Sequence, residues 1–170
     1  MHNSSWREMG RVLPAYLDRA APLRILDVGS KSVNVNFRHT YREHVAPAWT
    51  YVGCDMDAGE NVDRVQAEPY RLPAEDEEFD VVISGQCLEH VGEPWTMVRE
   101  MARVVRPGGL LINTAPWQWN IHRYPVDCWR ILPDGWTALY EWVGLKPLAA
   151  WTVARDSWGV ARRPRKQEGT

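Results

Sequence analysis

Phe79-Asp-Val-Val-Ile-Ser84, closed at once by Gly85, is the stretch on which the fold turns. The run is apolar, rich in β-branched residues and too short for a helix, so it predicts a buried strand. Outward on its C-terminal side, Trp95, Val98, Met101, Ala102 and Val105 share one face of a helical period, with Pro94 in the first turn. That spacing predicts a helix over 94–105, stopped by Pro107-Gly108-Gly109. Leu110–Thr114 then reads as another strand. On the N-terminal side, Arg24-Ile-Leu-Asp-Val-Gly29, Thr50–Asp55 and the shorter Val62–Val65 predict three strands.

The ends are read in the same way. Trp6, Met9, Val12, Leu13, Tyr16 and Leu17 predict an amphipathic helix over 4–20, with Pro14 inside it. A helix over 134–143 ends at Gly144, and Leu145–Val153 follows as a strand. The last strand is expected to be short, around Trp158–Arg162, so the C-terminal hairpin reads as abbreviated. Residues 161–170 read as a polar, disordered tail, leaving one domain over 1–160. Strands alternating with helices predict an α/β fold with a mostly parallel sheet and helices on both faces. Such sheets bind ligands beyond the carboxyl ends of their strands. The residues to weigh are therefore 27–32, 55–57, 66–70, 84–90 and 115–127.

Composition narrows the function classes. The 170 residues are 45% hydrophobic and 25% charged, with a formal charge of −2. That suits one globular domain rather than a disordered chain. The charge gives no general attraction to nucleic acid. No apolar run is long enough for a membrane span or a signal peptide, so a cytoplasmic setting is expected. Cys54, Cys87 and Cys128 are far apart and odd in number, which suggests free thiols. No metal site is expected: His39 and His44 are five apart, and His122 with Asp127 supplies too few ligands.

The pieces Ile25–Gly29, Tyr51–Asp55, Leu72-Pro73, Phe79–Ser84, Leu88-Glu-His90 and Glu100–Gly109 stand in an order and spacing that resembles the class I S-adenosylmethionine-dependent methyltransferases. Asp27–Ser30 with Val33-Asn34, and Arg123-Tyr-Pro-Val-Asp-Cys-Trp-Arg130, resemble a bacterial subgroup of them. The resemblance implies a Rossmann-like sheet of the seven-stranded type with S-adenosylmethionine as cofactor. It places Asp27 on the cofactor's ammonium and Asp55 on its ribose. Gly29 and Ser30 would form the turn beneath it, and Met56 or Tyr70 would cover the adenine. Glu68 and Pro69 would lie beside the adenine amino group, with Ser84, Gly85 and Gln86 along the methionyl part. One departure stands out: Lys31 and Val33 occupy positions where the family's first motif carries glycine.

Each residue also has a plainer reading. Asp27 caps a turn, Asp55 ends a strand, and Glu68 is a solvated loop carboxylate. His90 is either beside the reacting methyl or packed at a helix start. His122 with Asp127 is either a base and its orienting carboxylate or part of a structural loop. Trp117, Trp119, Arg123, Tyr124 and Trp129 either line an acceptor site or join core and surface ion pairs. The function expected is O-methylation of a small-molecule or glycan-type acceptor. The alternatives are a non-catalytic cofactor-binding module and, with less support, an RNA methyltransferase. The lean chain suggests an open pocket, closed by a large substrate or by the partner in a homodimer.

Overall fold

The computed structural model describes residues 3–33 and 39–165. In chain order these form α1 (Asn3–Tyr16), β1 (Arg24–Val28), β2 (Thr50–Asp55), β3 (Arg64–Val65), β4 (Phe79–Gly85), α2 (Pro94–Val104), β5 (Val105–Pro116), α3 (Pro133–Trp142), β6 (Lys146–Val153) and β7 (Asp156–Arg162). Short 3-10 turns sit at Tyr41–His44 and Leu88–His90. The strands make one sheet in the order β3-β2-β1-β4-β5-β7-β6. Strands β1 to β5 are parallel, and β7 enters antiparallel between β5 and β6.

Alternation along the strands sorts the core onto two faces. Ile25, Val81, Ile83, Ile112 and Val160 pack with Met9, Val12 and Leu13 of α1. Leu26, Val28, Val82, Leu111 and Ala161 pack on the other face with Val98 and Met101 of α2 and Trp136 and Tyr140 of α3. Helices thus cover both faces, as the apolar strands require.

Several boundaries differ from the sequence expectation. Helix α1 ends at Tyr16 rather than 20. The ladder runs past Pro14 to the Leu17 N–H, which bonds the Leu13 carbonyl at 2.9 Å, and Asp18 Oδ1 accepts from Ala20 N–H at 2.9 Å in the turn that follows. Strand β5 starts at Val105, paired with Phe79, and resumes at Leu110 opposite Val81. Pro107-Gly108-Gly109 is therefore a bulge within the strand, with Gly108 at φ +84°.

The C-terminal hairpin is complete, not abbreviated. β7 begins at Asp156, two residues before the expected start. Polar Asp156 and Ser157 hid it in the sequence, yet both are fully buried. Ser157 Oγ accepts from Trp136 Nε1 at 2.9 Å. Ala161 and Arg162 belong to this strand and not to a tail. The Arg163 guanidinium donates to the carbonyls of Ala102, Arg103 and Val105 at 2.9, 3.1 and 2.7 Å, closing the end of α2. Residues 166–170 of the expected tail lie outside the described residues.

Candidate active site

The carboxyl ends of β1 and β4 lie side by side where the chain order reverses, β1 running on to β2 and β4 to β5. A cleft of about 360 Å³ opens there. Its walls include Val28, Gly29, Ser30, Lys31 and Val33 after β1, Asp55 and Met56 after β2, and Gln66 after β3. Gly85, Gln86, Cys87, His90 and Val91 follow from β4, Met97 from α2, and Tyr124 and Pro125 from the loop after β5.

The opening turn is held by the loop after β2. A Cβ on Gly29, at φ +79°, would stand 2.6 Å from Cys87 Sγ, so only glycine fits the turn. Asn61 Nδ2 donates to the Ser30 carbonyl at 2.8 Å and to Tyr51 Oη at 3.0 Å, while Ser30 Oγ donates to the Asn61 carbonyl at 2.9 Å. Gly53 permits this clamp, because a Cβ there would lie 2.0 Å from the Asn61 carbonyl oxygen. At the two positions where the family's motif carries glycine, Lys31 reaches sideways to Asp57, Nζ to Oδ2 at 3.2 Å, and Val33 is 44% exposed at the cleft rim. Asn34, the other half of that motif, lies outside the described residues.

The two acidic strand residues are placed differently. Asp55 is half-buried on the cleft wall, with Oδ2 accepting the Lys31 N–H at 3.0 Å. Asp27 is buried beneath the turn and does not line the cleft. It accepts a hydrogen bond from the Tyr51 hydroxyl. Burial pushes its carboxyl up to about 7, against the lowering effect of that bond. Asp27 therefore supports the turn from below, through Tyr51 and Asn61.

Glu68 and Pro69 lie exposed beyond the residues that line the cleft. Gln66 takes the wall position instead, its backbone N–H bonded to the Asp55 carbonyl at 2.8 Å. Tyr70 lies away from the wall, with its hydroxyl accepting the Glu93 N–H at 3.2 Å. Ser84 is also internal, donating Oγ to the Val28 carbonyl at 2.8 Å. Gln86, at φ +58°, donates Nε2 to Asp156 Oδ1 at 3.0 Å, and its Oε1 is buried without a partner. Cys54 is inert at neutral pH, since burial pushes its thiol up to about 12.

The loop after β5 is pinned rather than free. Arg130 grips Asp127 with both nitrogens, at 2.6 and 2.7 Å, which holds that carboxyl far below the usual range. Asp127 Oδ2 also accepts the His122 N–H at 2.7 Å. The amides of Cys128 and Trp129 donate to the Glu89 carbonyl at 2.7 and 3.2 Å. His90 stands on the cleft wall, and His122 is behind it with ring centroids 4.9 Å apart. Burial lowers the His122 pKa from the ordinary imidazole value, against the raising effect of the Asn120 carbonyl and Asp127.

Trp117, Trp119 and Trp129 are not core. Trp119 and Trp129 are 36% and 37% exposed, Trp129 edge-on to Trp95, and Trp117 Nε1 donates to the Ala154 carbonyl. Tyr124 is on the cleft rim, joined to Pro125 by a cis peptide, while Arg123 is exposed. Sequence reasoning missed Glu89, which is fully buried with neither carboxylate oxygen partnered. It also missed Gly53 and Asn61. A second cavity of about 450 Å³, at the amino ends of the strands, is lined by Arg99, Arg103, Arg163 and Arg165. Arg103 there is already paired with Glu100 and Asp76, and Arg99 lies over Trp142.

A Rossmann-like sheet with an antiparallel β7 and a cleft at its switch point defines the class I methyltransferase fold. Residues 22–113, over half of the chain, match the family model of the methyltransferase domain, and the chain belongs to that family. A stretch of 48 residues is 46% identical to an uncharacterized methyltransferase of Mycolicibacterium vanbaalenii, covering 28% of this chain and 19% of that one. The chain thus matches under a third of the length of the curated relatives it resembles. Among solved structures, the complex of the Haloferax volcanii Trm112 methyltransferase activator with a putative methyltransferase superposes with a TM-score of 0.73. It is 14% identical and covers 96% of this chain and 91% of that one. A Burkholderia thailandensis 1,6-didemethyltoxoflavin-N1-methyltransferase, solved with bound 1,6-didemethyltoxoflavin and S-adenosylhomocysteine, gives 0.72 at 16% identity, covering 95% and 79%. No helix among the described residues is long and apolar enough to cross a membrane.

Proposed function

We propose that this protein transfers a methyl group from S-adenosylmethionine to a small-molecule or glycan-type acceptor, with oxygen as the target atom. The observation that carries the reading is the cleft itself, which puts a half-buried carboxylate (Asp55) on its wall beside the glycine turns at Gly29 and Gly85. That carboxylate fits the cofactor's ribose hydroxyls as their acceptor, the glycines leave room for the methionyl part, and Met56 flanks the base. Val28, Val91 and Met97 give the cleft apolar lining and exclude water. The bound cofactor supplies a methyl on a positively charged sulfur.

An acceptor hydroxyl forms its O–C bond as the S–C bond breaks, and its proton leaves to a base. His90 on the wall and His122 behind it are the groups within reach of that side, with Asp127 positioning His122. Trp119, Trp129, Tyr124 and Arg123 frame the acceptor side. Exposed Ile121, Tyr124 and Val126 on the same loop support a second copy closing that side. A cytoplasmic setting belongs to the same reading, and the −2 charge speaks against nucleic acid.

The test is calorimetry with S-adenosylhomocysteine, followed by methyl release to a panel of acceptors. Micromolar binding by the wild type is expected, weakened ten-fold or more by Asp55→Ala, which is about 1.4 kcal/mol. Absence of binding refutes the reading, and equal binding by both proteins refutes the role of Asp55. A non-catalytic binding module is the second reading. Binding without methyl release would select it.

A further inference from the structure

Glu89 poses the question. Its side chain is fully buried, and neither carboxylate oxygen has a hydrogen-bond partner. A buried carboxylate without a partner is costly and is met in proteins chiefly where it is neutralised or binds a cation. Two imidazoles face it: His90 Nε2 lies 3.7 Å from Oε1, and His122 Nε2 lies 3.9 Å from the same oxygen.

The opposite nitrogens of these rings decide what the facing ones offer. His90 Nδ1 lies 2.6 Å from the Val126 carbonyl oxygen. His122 Nδ1 lies 3.2 Å from the Asn120 carbonyl oxygen and 3.4 Å from Asp127 Oδ2. Those oxygens can only accept, so each Nδ1 carries the hydrogen, and the neutral ring turns the Nε2 lone pair toward Glu89. Rings that coordinate metals are oriented in this way, by a carbonyl or carboxylate on the far nitrogen. The three ligand atoms lie within 4.8 Å of one another. Tetrahedral bonds of about 2.0–2.2 Å bring ligand atoms to roughly 3.3–3.6 Å, so closure requires movements well under an ångström for the nearer pairs.

We propose that Glu89, His90 and His122 form a binding site for a divalent transition-metal ion of the zinc class. Three protein ligands leave one position for water or an acceptor oxygen, the arrangement of catalytic rather than structural sites. Its support is built in. The backbone bonds from Cys128 and Trp129 to the Glu89 carbonyl fix the loop against the 3-10 turn, and Arg130 holds Asp127 beside His122. Because His90 also lines the cleft, the ion borders the site of the proposed reaction. Its role there rests on that reading: an ion on the acceptor oxygen promotes loss of the hydroxyl proton to solvent, in place of an imidazole base. The cation site itself does not depend on that reading.

Titration of chelator-stripped protein with Co(II), followed by visible absorption and calorimetry, tests the site without methyl donor or acceptor. One equivalent is expected to bind with micromolar or tighter affinity and a tetrahedral-type spectrum. Glu89→Gln and His122→Asn are each expected to weaken it ten-fold or more. Where a variant fails to fold, paramagnetic broadening of the wild-type imidazole resonances decides. Broadening confined to His90 and His122 supports the site, and broadening centred on His39 and His44 overturns it. So does the absence of saturable binding, or unweakened binding by folded variants. S-adenosylhomocysteine calorimetry on the same samples keeps the outcomes apart. Lost nucleoside binding with cation binding intact sinks the methyl-transfer reading and leaves the metal site standing.

Discussion

Asp27 illustrates how one residue's environment rewrites its role. Strand-end position suggests a ligand contact, but the fold buries it beneath Tyr51, with Tyr41 and Asp55 nearby and Arg42 acting weakly on it in the opposite sense. Its carboxyl is raised to about 7 in the folded protein, against about 4 when the chain is unfolded. Between those values the native state holds the extra proton. Raising the pH through that window therefore favours unfolding, and the loss is complete above pH 7. The expected difference is on the order of 4 kcal/mol at most. Asp27→Asn should lose less stability between pH 5 and pH 8 than the wild type in urea unfolding; parallel curves for the two proteins would contradict it. The same residue scale explains why Asp55 was legible and Glu89 was not. Asp55 stands on the cleft wall where its own strand ends. Glu89 gains its meaning only from His122, which approaches through the loop after β5.

Strand β4 and helix α2 follow from local pattern, since a continuous apolar run and a proline-started amphipathic helix need no distant partner to be recognised. Strand β7 was only partly visible. Its first residues are polar, and they are strand because Thr114 Oγ1 and Trp136 Nε1 bond to Ser157 from two other elements. The end of α2 shows the same dependence. Arg163 reads as part of a solvated basic tail, yet it satisfies three carbonyls at the negative end of that helix. Arg163→Ala is expected to destabilise the protein by about 1–3 kcal/mol while leaving S-adenosylhomocysteine affinity unchanged. Urea unfolding paired with calorimetry would check it, and a matching loss of affinity would show that the contact reaches the cleft.

At the scale of the molecule, the cleft joins turns from β1, β2, β3 and β4 with the loop after β5. A ligand that binds across them is linked to global unfolding. Saturation with S-adenosylhomocysteine at a hundred times its dissociation constant should add about 2.7 kcal/mol. For a domain of this size that is roughly 5–10 °C in Tm. A thermal scan showing no shift at that concentration would mean that the nucleoside does not occupy the cleft.

The sequence by itself determined the alternation of strands and helices, the family, and the strand tips at Gly29, Asp55 and Gly85, because hydrophobic period and turn chemistry are local properties. Only the tertiary structure decided that Asp27 supports the turn from beneath, that Asn61 clamps it, and that Gln66 rather than Glu68 stands on the wall. It alone brought Glu89, His90 and His122 together. Burial and through-space proximity set those roles, and neither is written in the spacing of residues along the chain.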